Sequence, residues 1–281
     1  MTDHEHDHDH DNGLAHDLTR LADFAARRRA LLKWGLGFSA LPFLACAGSN
    51  LDSTDMTSEA GAGSTGTDTG TDDTCSTIPE ETEGPYPGDG TNGANALALA
   101  GIVRSDIRQS VAGASGVAEG IPLTVTLTLQ DGNNGCQPIA GYAIYIWHCD
   151  RAGNYSMYSA AAASENYLRG VQETAEDGTV TFTTIFPACY SGRWPHIHFE
   201  VYPSLETASS GANKVATSQL ALPEATCEEV YATDGYEASV ATLSQVSLTS
   251  DMVFKDSVSQ QLASIAGSVE SGFVATLKVT I

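Results

Sequence analysis

RWPHIHFEVY, residues 193–202, reads as a β-strand with two unlike faces. Successive side chains of an extended chain alternate, so His196, His198, Glu200 and Tyr202 share one face while Ile197, Phe199 and Val201 share the other. The apolar set belongs against a core. The polar set places two imidazoles roughly 7 Å apart at their backbones, close enough to converge on one metal ion at about 2.1 Å. On spacing alone, the same pair also fits a solvated strand face.

Working outward, period-two alternation recurs between turn residues. IPLTVTLTLQ (121–130) is a strand, with DGNNG (131–135) as the turn after it. GYAIYIWHC (141–149) is largely apolar on both faces, the pattern of a central strand buried on both sides. TVTFTTIF (179–186) follows the turn Glu176-Asp177-Gly178 and sets Val180 and Phe182 on one face. FVATLKVTI (273–281) puts Phe273, Ala275, Leu277, Val279 and Ile281 on one side and Lys278 opposite. Helical signal is confined to DSVSQQLASIA (256–266), with Asp256 as cap and Val258, Leu262 and Ile265 at helical spacing. No repeat of fixed period is visible. The expected fold is all-β, a single β-sandwich with long loops over residues 78–281.

Ahead of that domain, residues 27–47 (RRRALLKWGLGFSALPFLACA) combine a basic cluster, a short apolar run and a small-residue end, the layout of an export signal. Arg28-Arg29-Ala30-Leu31-Leu32-Lys33 resembles a twin-arginine signal, which would carry the protein across the membrane folded, with any metal already loaded. Phe43-Leu44-Ala45-Cys46 resembles a lipobox and would leave Cys46 as a lipid anchor; Ala45-Cys46-Ala47 is alternatively a plain cleavage site. The cell envelope or the exterior is then the destination. Residues 48–77, rich in Gly, Ser, Thr and Asp, have almost nothing to bury and read as a flexible linker. The histidine-rich HEHDHDHD (4–11) precedes the signal and reads as a solvated extension removed with it. Net charge is −22; beyond residue 47, 8 basic and 28 acidic side chains remain, a net −20. Such a surface repels nucleic acid and anionic lipid, so neither is expected as a partner beyond the possible lipid at Cys46.

Only three of the eight histidines lie beyond residue 47, and two are His196 and His198. FPACYSGRW (186–194) brings Tyr190 to the head of the histidine strand, and WHCDRAGNYS (147–156) places Tyr155 just past the strand that contains Trp147. The set Tyr155, Tyr190, His196 and His198 resembles the ligand set of the intradiol ring-cleavage dioxygenases. The similarity runs from about Cys75 to Ile281 through IPEETEGPYP, NNGCQPIAGYAIYIWHCDRAGNYS, NYLRGVQETAEDGTVTFTTIFPACYSGRWPHIHFEV, TSQLALPE and DMVFKD, in the family's order, and is strongest to exported, single-domain members.

That resemblance implies a non-haem Fe(III) centre held by Tyr155, Tyr190, His196 and His198, since phenolates are hard anionic donors that favour ferric iron. It implies an aromatic diol and O2 as substrates and a muconate-type diacid as product. Tyr190 corresponds to the ligand that substrate displaces, Arg193 to the arginine that stabilises negative charge on the ring carbon, and Gln219 in TSQL to a polar residue lining the same pocket. The interval from Tyr190 to Arg193 is shorter than in the multi-domain catechol enzymes, which implies a more open pocket, and their N-terminal helical dimerisation domain has no counterpart here. Tyr86 in GPYP reaches the pocket or packs as part of an N-terminal arm. Two other readings stay open: a non-catalytic surface module with the same sandwich, and an enzyme in which His196 and His198 hold zinc or copper.

With Cys46 set aside, Cys75, Cys136, Cys149, Cys189 and Cys227 remain in a chain bound for an oxidising compartment. Two disulfides and one thiol are expected, with Cys149–Cys189 as one bridge beside the ligand segments. A cysteine hydrolase built on Cys189 and His196 lacks an orienting third residue and an oxyanion hole.

Overall fold

The computed structural model describes residues 75–281. The export signal expected over 1–47, the anchor at Cys46 and residues 48–74 of the linker lie outside the described residues. No helix among the described residues is long and apolar enough to cross a membrane.

Among the described residues, nine strands form two sheets. The first is built on β1 (Pro122–Asp131), whose Leu123, Val125, Leu127 and Leu129 alternate inward while the threonines between them stay partly exposed. Along one edge β1 runs parallel to β9 (Gly272–Thr280); along the other it pairs antiparallel with β5 (Thr179–Ile185) and the two-residue β2 (Gln137–Pro138). β8 (Ser264–Ser268) completes this sheet beside β9. The second sheet is antiparallel throughout, in the order β4 (Arg169–Glu173), β3 (Ala143–Trp147), β6 (His196–Tyr202), β7 (Ala216–Ala221).

Between the sheets lies one apolar core. Leu123, Val125, Phe182, Phe273 and Ala275 from the first sheet meet Ile144, Ile146, Ile197, Phe199, Val201 and Leu220 from the second. Each fully buried Leu, Ile or Phe removes enough apolar surface from water to contribute about 1.5–3 kcal/mol, so this layer fixes which way β3 and β6 face. A one-residue slip of β6 would drive His196 and His198 into it.

The far face of the second sheet is also covered. Ala143, Tyr145, Trp147, Val171 and Tyr202 pack there with Ala96, Leu97, Ile102 and Tyr155, which come from the arm and loops outside the strands. All seven residues of β6 are therefore buried, and the solvated-face reading of the histidine pair does not hold. A sheet buried on both faces can carry polar groups on one of them only if those groups are paired.

Two sequence expectations change. Residues 256–266 are not a helix: 3-10 turns at Phe254–Asp256 and Val258–Gln260 lead into β8. Ile265 packs against the main core as a strand residue, and sheet pairing with β9 overrides the weak helical spacing. Among the described residues the α-helices stand instead at α1 (Glu224–Tyr231) and α2 (Glu237–Leu243), where Cys227, Val230 and Tyr231 are buried. The cysteines differ as well. Cys75 bridges Cys136, while Cys149, Cys189 and Cys227 are buried free thiols. Cys149 Sγ faces the Ala188 carbonyl at 3.7 Å and Cys189 Sγ faces the Arg193 carbonyl at 3.6 Å, so the expected Cys149–Cys189 bridge is not formed.

Candidate metal centre

β6 delivers His196 and His198 to the covered face of the second sheet, and two loops deliver the tyrosines. The loop after β3 turns at Asp150, whose Oδ1 accepts from the Ala152 and Asn154 amides, and this presents Tyr155. The segment between β5 and β6 presents Tyr190, with Gly153 of the first loop packed close to its Cβ. The side-chain tips meet in a closed circuit. His196 Nε2 lies 3.0 Å from His198 Nε2, His198 Nε2 lies 3.4 Å from the Tyr155 hydroxyl, the two tyrosine hydroxyls are 3.3 Å apart, and Tyr190 returns to His196 Nε2 at 3.2 Å. Donors that each sit about 2.1 Å from one ion stand roughly 3.0–3.4 Å from one another for angles of roughly 90–110°. All four contacts fall in that interval.

The protonation states suit a cation. His196 Nδ1 is at the Trp194 carbonyl, where only an N–H is tolerated, so its Nε2 turns a lone pair into the circuit. Burial, with Arg193 adding to it, pushes His196 down to about 3. Burial, then His196 and Arg193, hold His198 well below the usual histidine range. Both imidazoles are thus neutral and could serve as ligands with no competing proton. Burial, reinforced by Tyr190, holds the Tyr155 phenol well above its ordinary range. Without a cation it keeps its proton; a hard, highly charged ion is what releases it.

Around the circuit the packing is aromatic. Trp147 stacks on His198 with ring centroids 4.8 Å apart and 7° between planes, and Tyr86 lies 5.0 Å from the Tyr155 ring. Gly84, at φ +72°, passes so near that a Cβ there would stand 3.4 Å from His198 Cε1. The GPYP segment is therefore both an arm across the site and, through Tyr86, part of its wall. His198 Nδ1 and Trp147 Nε1 are buried without a hydrogen-bond partner among the described residues.

Arg193 and Gln219 are brought to the same place. Arg193 Nε donates to Asp251 Oδ2 at 3.0 Å and Nη2 donates to Gln219 Oε1 at 2.6 Å. Gln219 sits opposite His198 in the β6–β7 register, and its Nε2 donates to the Thr82 carbonyl at 3.0 Å. Burial disfavours the Arg193 charge, but the surrounding interactions, led by the Asp251 carboxylate, together outweigh it and the guanidinium stays ionised. All six residues singled out from sequence thus share one neighbourhood, and Tyr190 alone among them is only half-buried.

Sequence reasoning missed Asp251. Its Oδ2 also accepts from the Trp194 amide, and its Oδ1 from the amides of Val253 and Phe254. DMVFKD gave only a position in a pattern, and a carboxylate 58 residues from its arginine leaves no local signal. Arg169, fully buried beneath the arm, was missed for the same reason.

A family model described as Dioxygenase matches residues 103–207, a span that contains both tyrosines, Arg193 and both histidines. Over 53 residues the chain is 43% identical to chlorocatechol 1,2-dioxygenase of Rhodococcus opacus, which is 19% of this chain and 21% of that protein; the match thus spans about a fifth of the curated relative. An intradiol ring-cleavage dioxygenase from Tetranychus urticae aligns at 29% identity and a TM-score of 0.57, covering 74% of this chain and 95% of its own. Sandwich, motif order and these similarities agree: in fold and in the order of its motifs the chain is similar to the intradiol ring-cleavage dioxygenases.

Proposed function

We propose that this chain cleaves a catechol-type ring between its two hydroxylated carbons with O2, releasing a muconate-type diacid. Non-haem Fe(III), held by Tyr155, Tyr190, His196 and His198, would draw electron density from a bound catecholate and so make a ring carbon reactive towards O2. The observation that carries this reading is the circuit of two phenol oxygens and two imidazole nitrogens, each 3.0–3.4 Å from the next.

The chain's own residues divide the remaining work. Tyr190 is half-buried and on a loop where Tyr155 is fully buried, so Tyr190 is the phenol that can give way to substrate and take a proton at its hydroxyl oxygen. Arg193 offers a fixed positive charge to negative charge developing on the ring, held in place by Asp251 and Gln219 so that it need not reorganise. Trp147 and Tyr86 exclude water on either side of the ligand set.

Colour and oxygen uptake test the reading together. The purified, iron-loaded protein is expected to be reddish from phenolate-to-iron charge transfer, to consume O2 with a catechol, and to lose both properties in Tyr155→Phe. A colourless protein holding stoichiometric zinc overturns the ferric assignment, and a coloured protein that consumes no O2 with catechol, protocatechuate or hydroxyquinol leaves a binding module. Export by the twin-arginine route belongs to the same proposal. Fractionation of the producing cell tests it, and mass spectrometry of the mature N-terminus separates lipidation at Cys46 from simple cleavage.

A further inference from the structure

Arg169 opens β4 and is 1% exposed, yet no carboxylate is among its hydrogen-bond partners. Burying a guanidinium is expensive unless its donors are satisfied, and here all five N–H groups go to neutral oxygens. Nε donates to Ser156 Oγ at 3.0 Å. Nη1 donates to the Pro87 carbonyl at 2.8 Å and to the Tyr145 hydroxyl at 3.0 Å. Nη2 donates to the Tyr86 carbonyl at 3.0 Å and the Ser156 carbonyl at 2.9 Å.

Those acceptors belong to three segments that are far apart in sequence and all touch the ligand set. Tyr86 and Pro87 lie in the arm, whose Tyr86 ring packs on Tyr155 and whose Gly84 passes His198. Ser156 is the residue after Tyr155. Tyr145 stacks on Trp147, which in turn stacks on His198. The arm is shaped to admit the guanidinium: Gly88 has φ +62°, and a Cβ there would stand 2.7 Å from Arg169 Nη1. The Tyr145 hydroxyl, which accepts from Arg169, donates to the same Pro87 carbonyl at 2.8 Å, closing a ring of hydrogen bonds.

We propose that Arg169 is a positioning residue: its planar five-donor fork locks the arm at Tyr86–Pro87 to the Tyr155 loop at Ser156, and thereby sets the orientation of the Tyr155 phenol and the wall that Tyr86 makes beside it. The inference rests on the ring-cleavage reading only for its iron readout. The fork, not the charge, is what the arrangement uses, because an ammonium has three donors for five acceptors and no plane to space them. Lysine therefore fails to rescue.

Hydrogen exchange on the metal-free protein is the first measurement. In Arg169→Lys, amides of residues 84–91 and 155–159 are expected to exchange at least about tenfold faster, with the β1 and β9 amides unchanged. Tyr145→Phe, which deletes one acceptor and one donor of the ring without a change of charge, shows the same pattern at smaller amplitude and remains informative should Arg169→Lys not fold. After iron loading, both variants shift the visible charge-transfer band and raise KM by a larger factor than they lower kcat. Exchange that rises uniformly over the whole chain, or that is unchanged in both segments, overturns the proposal, as does a band and KM identical to those of the parent protein. Should the parent take up no iron, the ferric reading fails while the exchange experiment still decides the role of Arg169.

Discussion

His148 and Asp251 show how burial decides what a single side chain does. His148 follows Trp147 in the chain, yet it is spent on structure: Nδ1 is 2.8 Å from the Cys149 carbonyl and Nε2 is 2.7 Å from Thr184 Oγ1. Burial pushes it down to about 4 from an ordinary 6.5, so the unfolded chain binds a proton that the folded chain refuses between those values. Stability from this residue is complete above about pH 6.5 and drains away as pH falls through about 4, up to on the order of 3 kcal/mol. Urea midpoints measured from pH 7 to 4 should therefore fall for the metal-free protein, and more shallowly for His148→Gln. Asp251 is the only carboxylate that pairs with Arg193 among the described residues. Asp251→Asn leaves a buried guanidinium without its counter-charge, and we expect a loss of about 3 kcal/mol in stability together with a roughly 100-fold lower kcat, read by denaturant titration and by oxygen uptake. The histidine pair was legible because H-x-H on an alternating strand is a local pattern, whereas Tyr155 and Tyr190 entered only through the resemblance to the intradiol dioxygenases. Asp251, Arg169 and the fate of His148 were not legible, since each is defined by partners tens of residues away.

At the level of elements, strands whose alternation expresses a half-buried face were readable to within a residue or two: β1, β5, β9 and the facing of β6 all follow the pattern of their apolar positions. β4 and β7 carry weaker signals. RGVQE and ATSQLA are held in the sheet by β3 and β6, and their burial comes from the coverings on each side more than from their own apolar content. The segment 256–266 failed in the opposite direction, a local helical spacing overruled by pairing across the sheet. The Cys75–Cys136 bridge works on this scale too. It ties the start of the arm to the turn after β1, next to the Ile78 amide's bond to the Thr280 carbonyl, and closes a loop with a sequence separation of 61. Loop entropy of that size contributes up to about 4 kcal/mol, so Cys136→Ser should lower the thermal midpoint by several degrees in calorimetry.

Across the whole molecule, the sandwich makes one sheet dry on both faces and then uses the second face as the floor of a polar site. That choice explains how neutral imidazoles and a protonated phenol can be held buried and converging on one point. It also sets the site within a strongly acidic body: the chain carries −22 in all, and acidity repels anionic substrates over about a Debye length. The ratio of kcat/KM for protocatechuate to that for catechol is expected to rise as ionic strength is raised from about 10 to 500 mM, because added salt screens the repulsion felt only by the carboxylated ring; a flat ratio in steady-state assays would show that local contacts govern the choice. The amino-acid sequence by itself determined the all-β class, the inward faces of its strongest strands and the shared face of His196 and His198, because alternation and short-range spacing are written along the chain; Tyr155 and Tyr190 were supplied by the resemblance to a family. Only the tertiary structure decided that those four side chains converge, that Arg193 answers to Asp251, that the arm lies across Tyr155 under the hold of Arg169, and which thiols stay apart, because each of these is a contact between segments whose distance in sequence carries no information about their distance in space.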